Sequence, residues 1–419
     1  MAGHTGQHRR LTLVLLLVSM ACRGADSGGN WTGTVETLPN GAVRVTNPPQ
    51  GLWVNGSGWR LVSEFVLGEV EGDGAEVFAA ISGIEVDRDG RIYVLDRQAN
   101  ELRIFGPEGS HIRSVGRSGA GPGEYANANG LTWVSPDTLL IVDQRGNRYT
   151  LLTRDGSYVR SVPRQLGFFG WVFSGGYQDG RIYEISSVGQ GEVWHPVLLG
   201  TLIQRSGPSA VAARGTAVNA DEPVFVATGD TTMLPEPNAP LYESFSVNTD
   251  RGGMVMGVPF TARPVYYLDG LGSIWHGHGS EFRIYRSTFE GDTLSEIVLE
   301  GVPSPVTPVE VAEWEASSGV ERFRAMGGKL DLGRIPKAKP YFDDIFTDSD
   351  GNVWLAVPAA PAETVFDVLD PDGRYLGRLE IDGVTREPFL HAVARGGRLY
   401  MVGKDELDVQ RVYVYRVEK

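Results

Sequence analysis

Apolar and polar positions along most of the chain alternate in short runs instead of recurring at helical spacing. Residues 83–117, GIEVDRDGRIYVLDRQANELRIFGPEGSHIRSVGR, hold four such runs: Gly83–Val86, Arg91–Leu95, Glu101–Phe105 and His111–Val115. Runs of this length, bounded by turn residues, predict short strands with one buried face. Asp87-Arg88-Asp89-Gly90 and Pro107-Glu108-Gly109 mark two of the turns, where glycine supplies the positive φ that tight turns require. The whole pattern then recurs 47 residues later. Residues 130–164, GLTWVSPDTLLIVDQRGNRYTLLTRDGSYVRSVPR, align without a gap, and nine positions are identical, among them Asp96 with Asp143 and Asn100 with Asn147. Four strands in about 45 residues describe a propeller blade, not a helical repeat.

Weaker copies follow. Asp179-Gly180-Arg181-Ile182-Tyr183 opens a third unit, and Gly272-Ser273-Ile274-Trp275 with Phe282–Tyr285 marks a fourth. Asp350-Gly351-Asn352-Val353-Trp354 with Phe366–Leu369 marks a fifth, and Gly397-Arg398-Leu399-Tyr400 with Val409–Val417 a sixth. The sixth runs out of chain after its third strand. Trp59–Leu67 precedes a segment that aligns with the one following the outer strand of the first unit, so it is assigned as the missing outer strand. The predicted fold is all-β: a six-bladed propeller of four-stranded blades over 59–419, closed by a strand from each end of the chain, which removes open edges. Two segments break the repeat. Residues 206–249 are weakly patterned and read as an irregular insert, with no assignable outer strand for the third blade. Residues 307–327 read as a helix that starts at Thr307-Pro308 and stops at Gly327-Gly328. Val311, Trp314, Val320 and Phe323 would give it an apolar face.

The N-terminus reads differently. Arg9 and Arg10 precede the apolar stretch Leu11–Met20, and Ala21-Cys22 follows. Residues 1–22 therefore form a secretory signal, whose apolar stretch is too short to span a bilayer as a helix. Cys22 is the single cysteine, so no internal disulfide forms, and its place at the cleavage point nominates it for lipidation. Residues 23–58 read as a flexible tether. The formal charge of −14 and pI near 5.0 argue against nucleic acid as a partner.

The string Gly116-Arg117-Ser118-Gly119-Ala120-Gly121-Pro122-Gly123-Glu124-Tyr125 and the pattern Gly-Ile-x-Val-Asp-x-x-Gly-x-Ile-Tyr-Val-x-Asp resemble NHL-repeat propellers. More narrowly, residues 59–419 look like the bacterial six-bladed β-propeller lipoproteins, which carry a helical insert before a blade beginning like Pro340–Trp354. The resemblance implies the fold and an envelope location at the periplasmic face of the outer membrane. It brings no catalytic residues with it.

In a propeller the starts of the inner strands and the turns after the second strands share one face. The aligned starts are Ser82, Asn129, Arg263–Pro264, Asp343–Asp344 and Leu390–His391, and the turns add Asp96, Asp143 and His278. Asn129, Arg263, Asp343, Asp344 and His391 are accordingly the candidate ligand-binding rim. The paired carboxylates Asp343 and Asp344 suit Ca2+ or acid–base work. His276 and His278 point to one side of a strand and, with His391, Asp343 or His195 as a third ligand, make a candidate Zn2+ site. Amidating lyases of the NHL class hold a channel zinc with histidines from several blades, whereas here only His391 falls on a channel strand. Asp96 and Asp143 recur at one repeat position, which favours a structural role. No Walker loop, Gly-x-Ser-x-Gly elbow or His-Glu-x-x-His helix is present. The expectation is a binding or scaffold module taking a protein, glycan or small molecule, with a metal-dependent lyase or hydrolase as the alternative.

Overall fold

A computed structural model describes residues 31–164 (without 55, 56 and 73), 175–178, 181–190, 193–206, 224–233, 239–240, 243–250, 252–269 and 272–419; between 175 and 240 the description is essentially of strand pairing. Six antiparallel four-stranded units follow one another. Blade one comprises Ile81–Val86, Ile92–Asp96, Glu101–Phe105 and His111–Val115; blade two comprises Ala128–Ser135, Thr138–Asp143, Arg148–Thr153 and Tyr158–Pro163. Blade three runs from Gly175–Gln178 through Arg181–Gln190 and Val193–Ser206 to Val224–Met233. Blade four is Pro264–Leu268, Ile274–His278, Arg283–Ser287 and Thr293–Leu299; blade five is Asp344–Thr347, Val353–Val357, Glu363–Leu369 and Tyr375–Asp382. Blade six is Val393–Arg395, Arg398–Lys404, Gln410–Glu418 and, from the other end of the chain, Arg60–Leu67. The six inner strands adjoin in chain order, and the sixth returns to the first.

The closure is an antiparallel pairing from Arg60 opposite Glu418 to Leu67 opposite Val412, with a bulge between Ser63 and Phe65. Leu67 is buried there against Phe78, Val412 and Val414, with Phe65 packed beside them.

One device recurs in blades one, four and five. In the turn between inner and second strand, Asp87, Asp269 and Asp348 each accept backbone N–H bonds from the residues that follow, for example Ser273 N–H to Asp269 at 2.7 Å. An aromatic six residues on donates to the same carboxylate: Tyr93 Oη to Asp87 at 3.0 Å, Trp275 Nε1 to Asp269 at 3.0 Å and Trp354 Nε1 to Asp348 at 3.3 Å. The motif thus fixes a turn and buries an aromatic with its polar atom satisfied.

Asp96 and Asp143 act as pegs, as their recurrence suggested. Asp96, fully buried, accepts from the backbone N–H groups of Ala79, Ala80, Gln98 and Ala99 at 2.8 to 3.2 Å. Asp143 does the same for Ala126, Asn127 and Gly146. Each joins the end of the second strand to the segment entering its own blade. Asp143→Ala strands these donors, and urea unfolding should show a loss of about 2 kcal/mol.

Three expectations need correction. Residues 34–47 are not a free tether: Thr34–Thr37 pairs with Val43–Asn47, which adds in parallel to the outer strand of blade four, Val43 opposite Ser295. Asn47, buried, accepts from the Trp31 indole at 3.0 Å and the Tyr375 N–H at 2.8 Å, pinning this hairpin against blade five. Segment 206–249 is not wholly an irregular insert either, since Val224–Met233 supplies the outer strand of blade three and Ser244–Thr249 forms a hairpin with Gly252–Gly257. The expected single helix is two, Pro308–Glu315 and Ser318–Ala325, broken at Ser317, whose backbone is extended. Serines compete for backbone hydrogen bonds and suit such a break. Thr307 and Glu310 form a reciprocal cap at the start. Val320 and Phe323 are buried, and Phe323 packs with Phe245 and Val258 beside Trp314. The helices lie on the 244–257 hairpin.

Candidate functional site: the channel mouth and its groove

Asp343 and Asp344 lie where the inner strand of blade five begins. Arg386, on the short strand Thr385–Arg386 that pairs with blade six, is buried and reaches both carboxylates, with Nη1 3.2 Å from Asp344 Oδ2. Its Nη1 also donates to the Glu387 carbonyl at 3.2 Å. His391 Nδ1 sits 2.6 Å from Asp344 Oδ1, which also accepts the Ile345 N–H at 2.8 Å. Arg263, from the entry to blade four, donates to the Pro388 carbonyl at 2.6 Å and the Asp343 carbonyl at 3.3 Å. Its guanidinium lies over the Phe389 ring, 4.4 Å from the centroid. Three blades therefore meet in one charged knot.

The two carboxylates are pushed apart in acidity. Burial raises Asp343, and the Arg386 and Arg263 charges only partly offset it. Burial also acts upward on Asp344, but the charge and hydrogen bond of His391, with Arg386, outweigh it and hold that carboxyl below its ordinary value. Asp344 is the fixed anion of the pair.

Above this knot opens a groove of about 740 Å³ between the 252–257 strand, the first helix and the turn joining the second and third strands of blade five. Phe260, Trp314, Pro358, Ala360 and Phe389 supply apolar surface, Glu313 and Glu363 stand among them, and Asp343 with Arg386 lie at the lining. Phe260 is held at φ 59°, a left-handed conformation costly for a bulky side chain.

The channel itself encloses a separate cavity of about 380 Å³, lined among others by Ser82, Glu85, Tyr267, His391 and Arg395. Burial raises the Glu85 carboxyl to about 7, with Arg395, the Val86 N–H and His391 opposing the rise. Burial, and then the Glu85 charge, lift the Tyr267 phenol to about 12. A raised acid binds more protons folded than unfolded, so Glu85 makes stability fall as pH rises from about 4.5 to about 7. Glu85→Gln should flatten that slope, and its urea midpoint should exceed the parent's at pH 8 by an amount worth up to about 2 kcal/mol.

Residues 75–157, spanning blade one and most of blade two, match the profile of a family described as "6-bladed beta-propeller". The chain is a six-bladed β-propeller. Solved structures of similar shape include a protein of Bacteroides fragilis (12% identity, TM-score 0.42, 90% of this chain and 100% of that chain). A member of the duf4221 family from Bacteroides vulgatus is another (11% identity, TM-score 0.47, 86% and 98%). A streptogramin B lyase is a third (14% identity, TM-score 0.42, 86% and 98%). These likenesses concern shape alone. No curated protein matches the sequence.

Of the rim residues nominated from the sequence, the propeller brings Arg263, Asp343, Asp344 and His391 together. Asn129 stays apart: it is buried in blade two, where its amide donates to Gln144 Oε1 at 3.0 Å. The proposed zinc ligands do not converge. His276 is buried within blade four, its Nε2 2.8 Å from Ser287 Oγ and its ring stacked on Tyr285. His278 holds Ser280 Oγ at 2.6 Å through Nδ1, and burial lowers its pKa. His391 instead faces Asp344. Among the described residues, no three His, Cys, Asp or Glu side chains are grouped to hold a metal ion, so neither Ca2+ nor Zn2+ has a ready ligand set there. The side chain of His195, and Cys22, lie outside the described residues. Sequence reasoning missed Arg386 and Glu85. Arg386 falls between blades, where the repeat assigns no strand. Glu85 does lie at an inner-strand position, and a charged residue there was a signal open to reading.

Proposed function

We propose that the protein is a non-catalytic binding propeller of the cell envelope, taking its ligand in the groove at the channel mouth. The observation that carries this reading is the groove: apolar walls with a few fixed charged groups, in the size range of small-ligand sites. The basic start, apolar stretch and Cys22 support export and acylation. Trp31 is already seated on Asn47, so nine residue steps separate it from Cys22. Fully extended they reach roughly 30 Å. A lipid on Cys22 would thus hold the blade-four rim close to the bilayer, far closer than a 36-residue tether would.

A panel of compounds tests the binding reading. Ligand-observed NMR with short peptides and oligosaccharides is run on the parent, on Ala360→Trp, which fills the groove, and on Thr132→Trp, which fills the channel. At least one compound should bind the parent and Thr132→Trp but not Ala360→Trp. Binding abolished by Thr132→Trp and untouched by Ala360→Trp would move the site to the channel and overturn the proposal.

A further inference from the structure

Granting that the groove is the binding site, we infer that its occupant is a basic, apolar segment of a partner polypeptide, with lysine or arginine side chains directed at Glu313 and Glu363.

The charges around the groove divide into committed and uncommitted. Arg386 is bound to Asp343 and Asp344, whereas Arg263 gives Nη2 to two backbone carbonyls and lies over the Phe389 face. Glu310 is paired with Lys339 and with the Thr307 cap. Glu313 and Glu363 are exposed, and neither carboxylate has an ion-pair partner among the described residues. An anionic ligand would find one cation, Arg263, outside the ion pairs, already holding two carbonyls and an aromatic face, against two opposing carboxylates. A cation finds two free partners, one on the helical insert and one on blade five.

The walls select the rest of the ligand. Trp314, Phe260 and Phe389 are aromatic, and Pro358 and Pro361 present rings without backbone N–H donors. A neutral glycan could rest on these faces but carries no charge to meet the two unpaired carboxylates. The surface suits a side chain with an apolar stem and a charged tip, which is what lysine and arginine are, and aromatic faces attract their cationic heads. Apolar residues flanking the basic ones would cover the remaining wall.

The test uses fluorescence anisotropy with a fluorescein-labelled hexapeptide of alternating lysine and leucine, and its glutamate–leucine counterpart. Because the whole protein is acidic, only the component lost in Ala360→Trp counts as groove binding. In that component the lysine peptide should bind at least tenfold more tightly than the glutamate peptide. Glu313→Gln/Glu363→Gln should weaken it about tenfold, and added salt should weaken the parent more than this variant. Equal binding of the two peptides, or a Kd unchanged by the double variant, overturns the inference. If maltohexaose binds in an Ala360→Trp-sensitive way and the lysine peptide does not, the inference fails while the groove reading survives. If nothing bound is sensitive to Ala360→Trp, both fail.

Discussion

Deleting Arg60–Leu67 should destabilise the whole ring and not just blade six. The strand supplies the outer edge of that blade, and Leu67 and Phe65 cover Val412 and Val414. Burying side chains of this kind is worth about 2 kcal/mol each. With the lost pairing, the deficit should reach on the order of 5 kcal/mol, and the bared edge of Gln410–Glu418 should promote association. A truncation to residue 58 serves as the control, because it removes the Thr34–Thr37 and Val43–Asn47 hairpin but leaves all six blades four-stranded. It should cost less. A urea denaturation series of the two truncations against the parent checks the order; equal stability of the parent and the chain lacking 60–67 would refute the closure.

Replacing Arg386 should have an effect of similar size by a different route. Arg386→Met leaves Asp343 and Asp344 in the wall between blades without their shared cation. Removing one partner of a buried ionic group typically costs about 3–5 kcal/mol, chiefly through the charge left behind. The pH dependence identifies the cause. Without Arg386 both carboxyls move upward: Asp343, already above its unfolded value of about 4, rises further, and Asp344 loses part of what holds it down. The variant therefore loses stability relative to the parent as pH climbs through those values. In the parent, Asp344 is depressed, so its contribution is fully present above pH 4 and fades as pH falls through its folded value. Both trends narrow the gap in acid. Unfolding at pH 4.5 and pH 7.5 should therefore show a smaller deficit at the lower pH, and Arg386→Met/Asp343→Asn should recover part of it at the higher.

The blades were readable in the sequence because what specifies them is local. Asp87, Gly90 and Tyr93 act on one another within a single turn, and the same is true of Asp348, Gly351 and Trp354. The closure was readable too, since a blade one strand short at one terminus requires a strand from the other. What escaped depends on distant partners. Val43–Asn47 has a strand's composition, but its partner lies about 250 residues away, so nothing nearby distinguishes it from a tether. Val224–Met233 lies in weakly patterned sequence and is held by pairing along the length of Val193–Ser206, which local periodicity does not reveal.

The site follows the same logic. Aligning the inner strands places Arg263, Asp343, Asp344 and His391 on one rim, because equivalent positions in a propeller share a face. Alignment alone does not separate Asn129, whose amide turns into its own blade, from the four that converge. Nor does it find Arg386, which enters from between the repeats and bonds Asp343 and Asp344, 43 and 42 residues away. The groove is a product of tertiary packing, in which helices absent from the repeat lie on a hairpin absent from the repeat.

Whether this propeller binds in the mouth groove is decided by hydrogen–deuterium exchange mass spectrometry with and without a ligand from the NMR panel. Exchange should slow in residues 256–261, 310–314, 358–365 and 385–389, which border the groove. The contrary result is slowing in the channel strands Ile81–Val86 and Val393–Arg395 with the groove segments unchanged.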